Sequence, residues 1–252
     1  MNLRFLAPLL LTVAACGAAQ DQPDLLSAHD AKLVPMSTET ISFADHEWNV
    51  RAGAEANGAG PNFWGTTSRN VEVDDKNRLH LRITNNGGQW TCAEIMTPIP
   101  FGTRGAIITL TSPVADLDPN VVIGMFAYRD DKNEADIELG RWGGSTETNA
   151  QYIVHTPTGD TAPFRFSITT AEDPTTIHTL NWGNRVSPGL TPGREAISFS
   201  TIGNFGRQQW EAGNAAPNLQ RSWLHVNVWL YQGQAPQRGQ EVDVTIGAIR
   251  FY

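Results

Sequence analysis

Two cysteines in 252 residues, Cys16 and Cys92, exclude a disulfide-stapled scaffold. Basic residues are also scarce. Eighteen Lys and Arg stand against 26 Asp and Glu, giving a formal net charge of −8, and no Lys/Arg-rich run occurs. Such a chain repels polyanions, so no nucleic-acid partner is expected. No segment carries apolar residues at helical period over three turns, which excludes a helical bundle. There is no internal repeat. What is present is a 40% hydrophobic content, enough to build a core rather than a disordered chain.

The first residues read as an export signal. Arg4 supplies positive charge, and Phe5 to Val13 is an apolar run too short for a permanent membrane helix. Val13-Ala14-Ala15-Cys16 follows, with small residues before a cysteine. That is the pattern of a bacterial lipoprotein signal, in which Cys16 becomes the lipidated N-terminus. The expectation is an exported protein of the cell envelope, lipid-anchored to a bacterial membrane, at the outer membrane or cell surface. Cys92 is then the one remaining thiol, read as buried and inert. Residues 17–40 are small, polar and weakly patterned, as in a flexible tether. Residues 41–252 are expected to form one domain and to act as a monomer.

From Ile41 onward the pattern is β. Asn70 to Asp74 alternates, Asp75-Lys76-Asn77 makes a turn, and Leu79 to Ile83 alternates again before Asn85-Asn86-Gly87-Gly88. Further strands are expected at 90–96, 104–112, 121–128, 134–140, 149–156, 162–169, 177–182, 195–200, 224–231 and 241–252. Gly, Pro, Asn or Asp separates most of them. Many short strands without alternating helices point to an all-β sandwich or jelly roll.

One strand carries three acids in register: Glu134-Ala135-Asp136-Ile137-Glu138. A spacing of two places all three carboxyls on one face and Ala135, Ile137 and Leu139 on the other. Glycosidic bonds are cut by two carboxyl groups flanking the bond, one ionised and one protonated. A third acid nearby helps to separate their proton affinities. A plain solvated face is the bland alternative, but like charges along one strand repel and stability gives no reason to align them. A calcium site is the other alternative. Its carboxylates generally come from loops rather than from an alternating strand.

This E-x-D-x-E segment resembles glycoside hydrolase family 16, the family of lichenases, laminarinases, agarases, carrageenases and xyloglucan endotransglycosylases. The form without an extra residue before the last Glu is more similar to the lichenase and xyloglucan branches. The resemblance extends along the chain in order. Asn62-Phe63-Trp64 and Cys92-Ala93-Glu94 resemble the start of the lichenase cleft. Asn149-Ala150-Gln151-Tyr152 resembles the strand after the catalytic one. His178-Thr179-Leu180-Asn181-Trp182 and Asn227-Val228-Trp229 resemble two later strands. The resemblance implies a jelly roll of two antiparallel sheets of the concanavalin A type, with a substrate cleft. It makes Glu134 the nucleophile, Glu138 the general acid/base, and Asp136 the residue that tunes both.

Substrate-binding expectations follow at lower resolution. Asn227 and Trp229 share a strand face, and an aromatic plane beside an amide suits a sugar. Glu94 and Asn62 match polar cleft positions, and Gln151 lies one strand on from the two Glu residues. Trp64, Trp142 and Trp182 are either platforms or core bulk; the sequence reads the same for both. His178 is read as a structural hydrogen-bonding residue, and His155 is left unassigned. Ala135 and Leu139 replace the usual Ile and Phe, Asn133 precedes the nucleophile, and Ile153 stands where lichenases carry Asn. The last two touch subsite lining, so the substrate class does not carry over. No cofactor is expected and no metal ligand is assigned; the resemblance allows a structural calcium without placing it.

The expected activity is retaining, endo-acting hydrolysis of a β-linked polysaccharide of the β-glucan or β-galactan class, with transglycosylation as a variant. The alternative is a non-catalytic carbohydrate-binding envelope lipoprotein that uses the same cleft.

Overall fold

The computed structural model describes residues 39–102, 104–169, 173–182, 197–213, 215 and 217–252. Cys16 and nearly all of the expected tether lie outside the described residues. Among the described residues seventeen strands run in chain order. They are β1 (Thr40–Phe43), β2 (His46–Val50), β3 (Gly53–Asn57), β4 (Asn62–Trp64), β5 (Val71–Val73), β6 (Leu79–Asn86), β7 (Gln89–Met96), β8 (Gly105–Leu110) and β9 (Val121–Asp130). Then come β10 (Asn133–Gly140), β11 (Ala150–His155), β12 (Phe164–Phe166), β13 (Thr176–Asn181), β14 (Ser198–Gly203), β15 (Gly206–Glu211), β16 (Trp223–Leu230) and β17 (Val242–Phe251). The helical content of the described residues is two three-residue 3-10 turns, Trp142–Gly144 and Tyr231–Gly233.

The strands pair into two faces of a sandwich. The front sheet runs β1-β2-β7-β16-β9-β10-β11-β12, antiparallel throughout. The back sheet runs β5-β6-β17-β8-β13-β14-β15, also antiparallel. The β6–β7 hairpin passes between them, and β4 pairs parallel to β7. Gly87 and Gly88 turn that hairpin with φ of 62° and 100°. A two-residue turn of this twist needs positive φ at both positions, which glycine adopts without a Cβ clash.

Alternation decides which face of each strand is buried. On the front sheet Ala135, Ile137 and Leu139 of β10, Met125 of β9 and Val226 of β16 face inward. From the back sheet Leu79, Leu81 and Ile83, Ile108 and Leu110, and Val244 and Ile246 meet them in one core. Each such side chain contributes about 1.5–3 kcal/mol by leaving water. His178 lies within this core. Its ring nitrogens contact Thr176 Oγ1 at 2.8 Å and Thr201 Oγ1 at 3.0 Å. Tyr152 of the front sheet donates to the same Thr201 hydroxyl at 2.8 Å, which ties the two sheets together.

The expected strand at 162–169 is shorter, spanning Phe164–Phe166. β1, β2, β3, β4 and β15 were not anticipated. β15, Gly-Arg-Gln-Gln-Trp-Glu, is an edge strand with mostly exposed side chains, so it lacks an apolar alternation.

Candidate active site

Register across the front sheet sets three rows of outward side chains. The first is Gln151, Glu138, Gly124, Asn227 and Glu94, from β11, β10, β9, β16 and β7. The second is Ile153, Asp136, Phe126, His225 and Met96. The third is His155, Glu134, Tyr128 and Trp223. Residues drawn from five strands thus converge around the acids of β10. A cleft of about 540 Å³, counted with its open mouth, lies over the middle of this grid. Its lining includes Glu134, Asp136, Glu138, Glu94, Asn227 and Trp229, with Arg51, Gly58 and Ala59 on one side.

Glu134 and Asp136 are buried, at 3% and 5% exposure, while Glu138 is half-buried. Gln151 Nε2 donates to Glu138 Oε2 and orients it. Burial is the main force on Asp136, and the Glu138 charge adds to it; together they push its carboxyl well above the ordinary range. Its hydrogen bond with Glu134 pulls the other way. Asp136 also meets His155 Nε2 at 3.4 Å, and His155 Nδ1 meets Asp160 Oδ1 at 2.8 Å.

A second cluster supports the far side of the cleft. Glu94, 1% exposed, accepts from Arg51 Nη1 at 3.1 Å, His225 Nδ1 at 3.0 Å and Asn227 Nδ2 at 3.0 Å. Burial opposes its ionisation, yet Arg51, His225 and Asn227 outweigh burial and hold the carboxyl at about 2. His225 stacks on Phe126 at 4.9 Å. Arg51 lies 4.3 Å over the ring of Trp64, so Trp64 supports the cleft wall from behind. No protein donor among the described residues reaches Asn227 Oδ1 or Gln151 Oε1, both buried acceptors in the first row.

The strand before the nucleophile is anchored at a bulge. The β9–β10 register shifts between Asn133 and Glu134, opposing Asn133 to Asp130 and Glu134 to Tyr128. Asn133 Nδ2 donates to Asp130 at 2.7 Å, and Asn133 Oδ1 accepts from the Asn218 amide at 2.6 Å. Asn133 therefore holds the bulge and does not line the cleft.

The remaining expected binding residues are placed elsewhere. Asn62 is buried, donates to the Leu230 carbonyl at 2.9 Å and also to the Ala59 carbonyl, and fixes the loop that carries Ala59. Cys92 Sγ donates to Asn62 Oδ1 at 3.3 Å, and burial pushes its thiol up to about 12. Trp142 is buried with Arg165 4.8 Å over its ring. Trp182 is not in the cleft: it is fully buried, and its indole N–H donates to the Gly102 carbonyl at 2.6 Å. Its place at the end of β13 belongs to the back sheet, which corrects the expectation of a sugar platform.

Arg51, Gly124, Phe126, Tyr128, His155 and His225 were not picked out from sequence. For His155 a signal existed. The alternation Gln151, Ile153, His155 puts it on the face of Gln151, opposite buried Tyr152 and Val154. Glu134, Asp136 and His155 also offer ligand atoms within 4.8 Å of one another, a spacing that a cation satisfies.

None of the family models matches this chain, and no curated protein matches it. Solved structures do share its fold. A Bacillus licheniformis β-glucanase superposes with a TM-score of 0.60 at 14% identity, over 86% of this chain and 94% of its own. A prokaryotic β-1,3-1,4-glucanase (lichenase) from a mouse hindgut metagenome gives 0.58 at 16% identity, over 86% and 94%. A glycoside hydrolase family 16 endo-glucanase from Bacteroides ovatus gives 0.59 at 12% identity, over 81% and 94%. The chain therefore has the jelly-roll sandwich of these glucanases.

Proposed function

We propose that the protein is a retaining, endo-acting glycoside hydrolase of the family 16 kind, acting on a β-linked polysaccharide of the β-glucan or β-galactan class. The observation that carries the reading is the placement of Glu134, Asp136 and Glu138 on one face of β10, inside a cleft built on a glucanase fold. Their Cα atoms at the ends of the trio are roughly 13 Å apart on an extended strand. Two Glu side chains leaning inward bring the carboxyls towards the ~5–5.5 Å of a retaining pair.

Glu134 attacks the anomeric carbon while Glu138 gives its proton to the leaving oxygen, and a glycosyl-enzyme intermediate forms. Glu138 then takes a proton from water as that water displaces Glu134. Asp136, kept protonated by burial, supplies a hydrogen bond rather than a second charge beside the nucleophile. Asn227 Oδ1 supplies an acceptor for a sugar hydroxyl, Gln151 orients Glu138, and the edge of Trp229 offers an apolar surface. Acceptance of the sugar by another saccharide instead of water makes transglycosylation a variant of the same chemistry. The Cys16 motif supports export and a lipid anchor as the setting for this activity; labelling by radioactive palmitate, absent in Cys16→Ser, checks it.

The test is reducing-sugar release from mixed-linkage β-glucan, laminarin, xyloglucan, agarose and carrageenan, run beside Glu134→Ala. Release by the parent alone supports the reading and names the substrate. Binding to a glycan that survives Glu134→Gln, with no turnover by the parent, replaces it with the carbohydrate-binding reading.

A further inference from the structure

His155 and Asp160 have no part in the double displacement, yet both lie beside the strand that carries it. β11 places His155 directly opposite Glu134, and the following loop returns Asp160 to the same imidazole. The side chains of His155 and Asp136 are 6% and 7% exposed, whereas that of Asp160 is 32% exposed. A 2.8 Å contact between His155 Nδ1 and Asp160 Oδ1 requires a proton on Nδ1, because a carboxylate oxygen accepts. In a neutral imidazole Nε2 is then the bare nitrogen, and it faces Asp136 Oδ2 at 3.4 Å.

We propose that Asp160 is a positioning residue for the reaction: it fixes the Nδ1–H form of His155, so that the unprotonated Nε2 faces Asp136 and favours its acid form beside Glu134. The inference rests on the hydrolase reading and deepens it. Asp136 Oδ2 has no hydrogen-bond partner among the described residues and lies 3.4 Å from Nε2, so the nitrogen acts on it through its lone pair, and the proton of Asp136 serves its hydrogen bond with Glu134. The neutral imidazole and the protonated Asp136 together carry no net charge, and Glu134 carries the charge needed for attack. Without Asp160 the imidazole is free to hold its proton on Nε2 and to donate it to Asp136. Asp136 then ionises next to Glu134, and repulsion raises the proton affinity of the nucleophile.

The charged and titratable groups facing this pair fit that account. Glu134 and Glu138 come from β10, Tyr128 from β9 with Asp131 on its hydroxyl at 2.7 Å, and His225 from β16 near Phe126. The nearest guanidinium of the cleft, Arg51, is engaged by Glu94. Among the described residues, His155 is thus the nitrogen base that faces Asp136.

The experiment has two readouts on the full chain. Long-range 1H–15N spectra of the histidine side chains give the tautomer of His155 without any substrate. The parent is expected in the Nδ1–H form, and Asp160→Ala is expected to lose it. Asp160→Asn keeps an acceptor oxygen for Nδ1–H and is expected to retain it. The pH dependence of kcat/KM is the second readout. Asp160→Ala is expected to move the acid limb up by about one pH unit and to lower kcat roughly 10-fold, with KM within about twofold. Asp160→Asn is expected to recover most of both. An Nε2–H tautomer in the parent, or an acid limb unmoved in a folded Asp160→Ala, overturns the proposal. A parent that holds the Nδ1–H form but cleaves no glycan overturns the hydrolase reading, and the positioning role with it, while the tautomer geometry stands.

Discussion

A Cβ placed on Gly124 would lie 2.5 Å from the side-chain oxygen of Asn227. These two residues are register partners at the centre of the first cleft row, between Glu138 and Glu94. Gly124 therefore lets an amide oxygen lie across β9, close to the acid/base. Gly124→Ala is expected to push Asn227 out of place and to cost about 1–3 kcal/mol by overpacking. The protein should still fold, with KM raised more than kcat is lowered. Steady-state kinetics beside a thermal melt check this; unchanged kinetics would mean that Asn227 does not touch the substrate.

Glu138 and Gln151 form a second pair with a kinetic signature. If Glu138 protonates the leaving oxygen, its removal hurts most where the leaving group is poor. Glu138→Ala is expected to lower polysaccharide turnover by about 10²–10⁴-fold. An aryl glycoside with an acidic phenol leaving group should lose much less in the first step. Equal losses on both substrates would take the acid role away from Glu138.

Glu94 neutralises a buried cation and orients three neighbours at once. Glu94→Gln leaves Arg51 without its counter-charge, with Asn57 and the Trp64 ring as its remaining partners, and breaking such a pair costs about 3–5 kcal/mol. In a chain of this size each kcal/mol moves Tm by about 2–4 °C. The parent should also show a pH signature. The folded carboxyl sits at about 2, below its ordinary value of 4.5, so its stabilisation is complete above 4.5 and is lost as pH falls towards 2. Urea melts across that window should show this loss in the parent and a shallower one in Glu94→Gln.

Much of this site can be read from sequence because its centre is local. Glu134, Asp136 and Glu138 share one strand, and a period of two is enough to align them. The β6–β7 hairpin is equally local, with Gly87-Gly88 as its turn. The opposite wall depends on pairings between distant strands. Glu94 meets His225 and Asn227 across more than 130 positions, and no spacing rule predicts that β7 neighbours β16. His155 needs Asp160, which sits in a loop without pattern. Trp182 and Trp229 both end apolar strands, and what separates core from cleft is the sheet each strand joins. β15 stayed hidden because an exposed edge strand carries no apolar alternation.

Asp136 links the site to stability in the opposite sense from Glu94. Its folded carboxyl holds its proton well above the ordinary carboxylate range, chiefly through burial. The unfolded chain releases that proton near pH 4, whereas the native state keeps it, so each step up in pH favours unfolding until the native group ionises. Asp136 thus supports the fold fully in acid and erodes it towards neutral and alkaline pH. Asp136→Asn has nearly the same shape and no proton to lose. Its Tm is expected to match that of the parent near pH 4 and to exceed it by several degrees at pH 8. Glycan cleavage should fall in the same variant, because an amide N–H is a weaker donor to Glu134 than a carboxylic acid O–H. Melts of both proteins between pH 4 and 9 check this; a constant Tm difference across the range would show that Asp136 is ionised in the native protein.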